Sequence, residues 1–444
     1  MSVKTIHPAR AVEGVVTVPG DKSISHRAVI LGSLSNRGCT VDNFLEAEDC
    51  LCTLEAFRAM GISIERQGPH LQISGKGLDG LKASKQPVWC GNSGTTTRLL
   101  MGVLTGQPFE VSLEGDASLS KRPMDRVLDP LSKMGAFFMV PGLRPGTVDG
   151  RPGTEAGAHL PLRMRGTHSV KSLQYKSPVA SAQVKSSILL AGLYASGTTS
   201  VEEPSASRDH TERMLSASGV PVKREGNTVS LQGTATVRAS SFVVPGDLSS
   251  AAFLLAAGLL RARGELVVKG VGVNPTRTGF VDLVKAMGGS CRFLKSTESG
   301  GEPIADIAVK ASALKGTAIG GAVIPRAIDE IPILAVLATQ AKGQTVVADA
   351  KELRFKESDR LSVLRVELSK MGARIQETPD GLMIDGPTPL KGTVVQSHGD
   401  HRLAMSLAVA ALVAEGPTTI EDVDCVATSF PGFWALLDSI RVSG

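Results

Sequence analysis

The chain has 444 residues, of which 42% are hydrophobic, 20% charged and 4% aromatic, with a net charge of +5. So long a chain exceeds one hydrophobic core, and two domains are expected. Scarce aromatics and a mild charge argue against a base-stacking or nucleic-acid-coating surface, so no nucleic-acid partner is expected.

The N-terminal segment Met1–Arg10 lacks the apolar run of a signal peptide. The strand after it, ending before Gly20, stands outside the repeat that fills the rest of the chain and is assigned to the second half. From Gly20 onward two elements alternate. One is an apolar helix ending at a glycine and followed by a β-branched strand, at Gly38, Gly106, Gly197, Gly264, Gly343 and Gly416. The other is an amphipathic helix ending in Met-Gly or Ser-Gly, at Gly61, Gly135, Gly219, Gly288 and Gly372, with a degenerate last copy in LLDSIRV at the C-terminus. A glycine just past the last turn supplies a left-handed cap. Each repeat therefore reads β-α-β-α-β-β. Its first helix, as in AAFLLAAGLL from Ala251, is apolar all round and belongs in the interior.

The halves match each other: VPGDKSISHRAVILGSL begins at Val18 and VPGDLSSAAFLLAAGLL at Val244. The expected fold class is α/β, with two similar domains of three repeats each and buried helices. Residues 1–20 hold the first strand, which joins the C-terminal domain; 21–243 form the N-terminal domain and 244–444 the C-terminal one. The Pro- and Gly-rich run Pro141–Gly157 reads as a surface loop. Six scattered cysteines without a CxxC pair argue against a disulfide framework or zinc site and suit a reducing cytoplasm. Apolar stretches such as Ser250–Leu260 are too short to span a bilayer, so no membrane partner is expected.

Each interior helix starts behind a polar cluster: GDKS at Gly20, GNSGTTTR at Gly91, ASAQVKS at Ala180, GDLSS at Gly246, AIDEIP at Ala327 and GDHR at Gly399. Such helix starts bind anions through free N–H groups and the positive dipole end, although most are only caps. Added cations favour anion binding. Lys22, Arg27, Arg98, Lys185 and Arg402 follow the caps; Lys121, Arg122, Arg126, Arg208, Arg277, Arg354, Lys356 and Arg360 lie in the loops before the second helices. Charge-assisted hydrogen bonds of about 1.5–3 kcal/mol each, converging on one ligand, hold a small multiply charged anion. Asp329 in AIDEIP and Glu357 in RFKESDR stand among these cations, either as ion pairs or as proton-transfer groups. His398 and His401 have no third ligand nearby, so no metal site is expected. His401 reads instead as a hydrogen-bonding or acid/base residue beside Arg402.

Nine segments carry a resemblance: GDKSISHRA, GNSGTTTR, LSKRPMDR, SAQVKS, SRDHTE, AIDEIP, RFKESDRL, GDHRLAM and TSFPGF. In this order they resemble the EPSP synthase family, the 3-phosphoshikimate 1-carboxyvinyltransferases, almost from end to end. SAQVK, RDHTE and NPTR resemble the bacterial class II subgroup. The resemblance implies an inside-out barrel in each domain, substrates in the cleft between the domains, a monomer, and no metal or organic cofactor. It implies transfer of the carboxyvinyl group of phosphoenolpyruvate to the 5-hydroxyl of shikimate 3-phosphate, and glyphosate as a competitor of phosphoenolpyruvate.

By motif, Lys22, Ser23, Arg27, Ser181, Gln183, Arg208, Asp329 and Lys356 are implied to hold shikimate 3-phosphate. Lys22, Asn92, Gly94, Arg122, Arg360 and Arg402 are implied to hold phosphoenolpyruvate. Asp329 is implied to handle the hydroxyl proton, and Lys22 and Glu357 to assist protonation of the methylene carbon. Two positions depart from the family pattern. Thr428 stands where other members often have Lys, and Ala182 where many have a second Ser, a loss that Arg208 is expected to offset. Two other readings compete: the sister transferase that uses UDP-N-acetylglucosamine, whose mobile loop often carries a Cys absent from LSKRPMDR, and a non-catalytic phosphoanion- or RNA-end-binding protein on a related fold.

Overall fold

The computed structural model describes residues 2–139 and 157–442. The loop expected at Pro141–Gly157 lies outside them except for Gly157. The chain divides into two compact units. One is Gly20–Val244 with Ser299–Glu302; the other is Met1–Pro19 with Pro245–Glu298 and Pro303–Gly444. Gly20 and Val244 thus fall on the other side of the boundaries read from the repeats. The short return at Ser299–Glu302 is a further passage of the chain that the repeats do not announce.

In the Gly20–Val244 unit, three four-stranded sheets share one connectivity. In one, Val88–Trp89 runs parallel to Glu110–Glu114, which pairs antiparallel with Leu162–Arg165 and through it with Phe137–Met139. Gln174–Lys176, Thr198–Glu202, Thr228–Gln232 and Val222–Glu225 repeat the pattern. The third sheet, on Gly38–Asp42, His70–Ser74 and Ser63–Gln67, takes its parallel strand from Ser241–Val243 at the far end of the unit. The strand that sequence order would supply, Ala11–Thr17, instead runs parallel to Ala262–Gly272 in the other unit. A parallel pair needs a crossover, and where the paired strands are consecutive, as in Val88–Trp89 with Glu110–Glu114 and Gln174–Lys176 with Thr198–Glu202, the interior helix provides it.

The interior helices of this unit are Lys22–Leu34, Gly94–Leu104 and Ala182–Gly192; those of the other are Leu248–Arg261, Ile331–Gln340 and His401–Ala411. Every residue from Leu248 to Leu259 is buried, as expected of a helix apolar on all sides. Each large apolar side chain so buried stabilises by about 1.5–3 kcal/mol. The two sets of helices form two separate cores. The amphipathic helices end at left-handed glycines, as at Gly61 (φ 89°) and Gly372 (φ 90°), where an L side chain would be strained.

The last repeat, read as degenerate, is completed by the N-terminal segment assigned to the second half. Val394–Gln396 runs parallel to Thr418–Glu421, whose other neighbour is the N-terminal strand Val3–Ile6. Arg441–Val442, at the end of LLDSIRV, joins the edge of the five-stranded sheet beside Ala11–Thr17.

Candidate active site

Five of the six polar clusters cap their helices as the side chains dictate. Asp21 accepts from the Ile24 N–H at 2.9 Å, Ser93 from Thr96 at 3.1 Å, and Ser181 from Val184 at 3.4 Å. Asp247 accepts from Ser249 at 2.8 Å and Asp400 from Arg402 at 2.9 Å. The AIDEIP cluster differs. Its helix starts at Ile331 with no side-chain cap, and Asp329 and Glu330 lie in a preceding 3₁₀ turn, Ile328–Glu330. Their carboxylates go to cations instead.

In the Gly20–Val244 unit, Lys22 Nζ lies 2.6 Å from Asp49 Oδ2. Arg122 donates to the Asn92 side-chain oxygen at 2.5 Å and to its carbonyl at 3.3 Å, while the Asn92 amide nitrogen donates to Asp116 at 2.7 Å. Asp116 thereby fixes which end of the Asn92 amide faces Arg122. The buried Arg122 Nε has no hydrogen-bond partner among the described residues. Gly94 opens the adjacent helix, and a Cβ there would stand 3.2 Å from Arg98 Nη1 and 3.7 Å from Arg122 Nη1.

A second group gathers on Arg27. Its Nε donates to Thr211 Oγ1 at 2.6 Å, Nη1 to the Ser23 carbonyl at 2.9 Å and Nη2 to Ser186 Oγ at 2.7 Å. These bonds use only part of a guanidinium with five N–H donors. Burial lowers the Arg27 pKa to about 10; Glu212, Asp21 and Glu302 oppose that shift, and Arg208 is near enough to add to it. The Ser181 N–H donates to Glu203 Oε1 at 2.8 Å. Gln183 accepts from Arg98 Nη1 at 2.5 Å and donates to Thr95 Oγ1 at 3.0 Å.

In the other unit, Arg360 joins three carboxylates. Its Nη2 meets Glu357 Oε2 at 2.6 Å, its Nε meets Asp400 Oδ2 at 2.7 Å, and its Nη1 meets Asp329 Oδ1 at 3.5 Å. Burial works to lower the Arg360 pKa, but Asp400, Glu357 and Asp329 hold it above its ordinary value. Asp329 is also 3.8 Å from Arg402 Nη2 and 4.0 Å from Lys356 Nζ, and Arg402 Nη1 donates to its carbonyl at 3.1 Å. Asp329, Lys356, Glu357, Arg360 and Arg402 thus form one cluster.

Three cations expected to face anions are held by protein carboxylates instead. Lys185 is buried between Glu203 and Glu212, each 2.8 Å away. Arg277 is buried against Asp247 (3.1 Å) and Ser249 (2.6 Å), and Ser249 in turn donates to Glu330. Arg354 lies 2.8 Å from Asp359 and 2.7 Å from Glu377. A buried cation requires carboxylate partners, and Lys185 and Arg277 have them. Lys121 and Arg126 are exposed. His398 Nε2 is 2.9 Å from Glu367 Oε1, and the described residues contain no group of three His, Cys, Asp or Glu placed to hold a metal. Asp49, Asp116, Asp400 and Arg98 escaped the sequence reading as positioning residues. Asp49, in the acidic first turn of Glu48–Ala59, resembles an ordinary helix-dipole partner, and no local signal points it at Lys22.

The architecture is that of the enolpyruvyl transferases. An enolpyruvyl transferase, NikO from Streptomyces tendae, has the same fold with a TM-score of 0.77 at 18% identity, covering 99% of this chain and 97% of its own. An EPSP synthase structure from Acinetobacter baumannii is similar with a TM-score of 0.88 at 44% identity, covering 100% of this chain and 99% of its own. The model of the EPSP synthase (3-phosphoshikimate 1-carboxyvinyltransferase) family matches residues 6–437. Proteins of that name from Brevibacillus brevis and Geobacter sulfurreducens are each 50% identical, over 98% of this chain and 99% and 98% of their own lengths. The chain belongs to the EPSP synthase family.

Proposed function

We propose that the protein transfers the carboxyvinyl group of phosphoenolpyruvate to the 5-hydroxyl of shikimate 3-phosphate, releasing phosphate, in aromatic amino-acid biosynthesis. The observation that carries this reading is the joining of Asp329 and Glu357 to one buried Arg360, within segments that match the family. In the addition step the hydroxyl oxygen bonds to C2 of phosphoenolpyruvate. Its proton passes to Asp329, while C3 gains a proton with the help of Lys22 and Glu357. C2 becomes attackable only as C3 is protonated, so an acid and a base flank one carbon–carbon bond. In the elimination step C3 loses a proton, the double bond re-forms and the C2–O bond to phosphate breaks. The steps balance without a cofactor.

Ser23, Arg27, Ser181, Gln183, Arg208 and Lys356, with Lys22 and Asp329, are assigned to shikimate 3-phosphate. Lys22, Asn92, Gly94, Arg122, Arg360 and Arg402 are assigned to phosphoenolpyruvate. Both ligands carry a phosphate and a carboxylate, and Arg27 and Arg122 each have guanidinium N–H groups to offer them beyond those bonded within the protein. A monomeric cytoplasmic enzyme inhibited by glyphosate at the phosphoenolpyruvate subsite completes the reading. Phosphate release from phosphoenolpyruvate tests it: release with shikimate 3-phosphate and none with UDP-N-acetylglucosamine supports it, and no release with either overturns it.

A further inference from the structure

The chain of the Pro245–Gly444 half returns to the Gly20–Val244 unit at Ser299–Glu302, the turn between the paired strands Ser290–Ser299 and Glu302–Lys310. This turn meets the segment Arg208–Arg213. Glu302 Oε1 lies 2.8 Å from His210 Nδ1, and both side chains are 2% exposed. Arg213 Nη1 donates to the Gly301 carbonyl at 3.0 Å. Gly301 has φ +81°, and a Cβ on it would stand 3.2 Å from the Arg213 carbonyl oxygen, so the turn packs closely against that helix. His210 is the first residue of the helix His210–Ala217. Arg208 stands two residues before it and Thr211 directly after it, and Thr211 accepts from Arg27 Nε at 2.6 Å. Glu302 also acts on Arg27 directly, since its charge is among those opposing the loss of the Arg27 proton.

We infer that Glu302 and His210 are positioning residues for the shikimate 3-phosphate subsite, holding the Arg208–Thr211 segment so that Arg27 and Arg208 are preorganised for the acceptor's anionic groups. The physical case is that of a buried ion-pair or hydrogen-bonded dyad, which costs much to break and fixes one geometry. Arg27 hangs on Thr211, so a shift of that short segment moves the guanidinium. The contacts that carry this effect run from the dyad to Thr211 and Arg27, both on the acceptor side of the assignment, so the effect is expected to fall chiefly on that substrate. This inference rests on the acceptor assignment proposed above.

The test uses the full-length enzyme and the variants Glu302→Gln and His210→Gln, with a Glu302→Asp variant to ask whether a shorter carboxylate restores function. We expect each Gln variant to raise the KM for shikimate 3-phosphate at least fivefold while the KM for phosphoenolpyruvate moves less than twofold. Calorimetric titration of shikimate 3-phosphate alone should weaken by the same factor. In the double variant the loss should not exceed that of the worse single one, because both remove one interaction. Glu302→Asp should fall between Glu302→Gln and wild type. Equal rises in both KM values would make the dyad a general structural support and overturn the inference. So would an unchanged or tighter shikimate 3-phosphate constant, which would leave Glu302 only a buried charge opposing the anion. If Glu302→Gln does not fold, the same titration on His210→Gln and Glu302→Asp decides. Wild-type enzyme that binds shikimate 3-phosphate without releasing phosphate would sink the proposed reaction and leave the positioning result standing on its own.

Discussion

Arg360 is 1% exposed and keeps its charge because Asp329, Glu357 and Asp400 surround it. The three carboxylates have different tasks. Asp400 is fully buried and also caps the helix that carries Arg402, so it places two arginines at once. Replacing it with Ala should cost about 3 kcal/mol, near the low end for breaking a buried pair because Glu357 remains; urea unfolding measures this. Asp329 and Glu357, proposed as proton-transfer groups, are more exposed, at 13% and 21%. Asp329→Ala and Glu357→Ala should lose about 10²–10⁴ in turnover with far smaller losses in substrate binding. Single-turnover rates together with equilibrium titrations separate the two quantities, and near-wild-type turnover in either variant removes that residue's role. Gly94 makes a finer case. An added methyl would press on Arg98 and reach ordinary contact with Arg122, and the lost room should be felt more by glyphosate than by the shorter phosphoenolpyruvate. Gly94→Ala should therefore raise the glyphosate inhibition constant by a larger factor than the phosphoenolpyruvate KM, a preference on the order of 1–3 kcal/mol. Equal factors would show that Gly94 does not discriminate.

In the Gly20–Val244 unit a buried polar chain braces the interior helices whose starts are proposed to bind ligands. His26 Nδ1 lies 2.6 Å from Thr53 Oγ1, which lies 2.6 Å from Thr96 Oγ1, and Thr96 donates to Ser93 Oγ at 2.8 Å. The chain ties the helix of Lys22 and Arg27 to that of Gly94 through the intervening Glu48–Ala59 helix. Burial, with smaller effects from Lys22 and Arg27, lowers the His26 pKa well below its ordinary value. The imidazole is therefore neutral when folded. In the unfolded chain it takes up a proton below about pH 6.5, so its contribution to stability is complete above that pH and is lost as the pH falls. Unfolding free energy should decline by about 1.4 kcal/mol per pH unit below that point from this group alone. His26→Asn should flatten that part of the profile, and an unchanged slope would show that other groups set it.

At the scale of the molecule, sequence order and spatial order part company at the N-terminus. Ala11–Thr17 lies between Ala262–Gly272 and Arg441–Val442 in the five-stranded sheet, and Val3–Ile6 borders Thr418–Glu421. Ile6, Ala9, Val12 and Val18 are buried in the core of that unit. A fragment starting at Pro245 would lack these strands and, at about 1.5–3 kcal/mol for each large side chain, should not fold alone. Adding a peptide of residues 1–19 should restore dispersed amide resonances. A fragment that folds without the peptide would show that the remaining strands suffice.

The sequence by itself determined what depends on neighbours along the chain. Its helix periodicity, the glycines after the amphipathic helices and the acidic or hydroxyl caps are local, so the three-repeat pattern and five of six helix starts were legible. The clustering of Asp329, Lys356, Glu357, Arg360 and Arg402 was legible too, but through resemblance of whole segments, because RFKESDR and GDHR are far apart in sequence. Tertiary structure alone decided the partners. Lys22 and Lys185 both follow a helix cap, yet one is a part-buried lysine beside Asp49 and the other is sealed between Glu203 and Glu212. Arg277 and Arg360 are both arginines next to helix starts, and only Arg360 joins the carboxylates assigned to proton transfer. Whether a cation meets an anionic ligand or a buried carboxylate depends on which distant side chains the fold brings within about 4 Å, and no spacing along the chain encodes that.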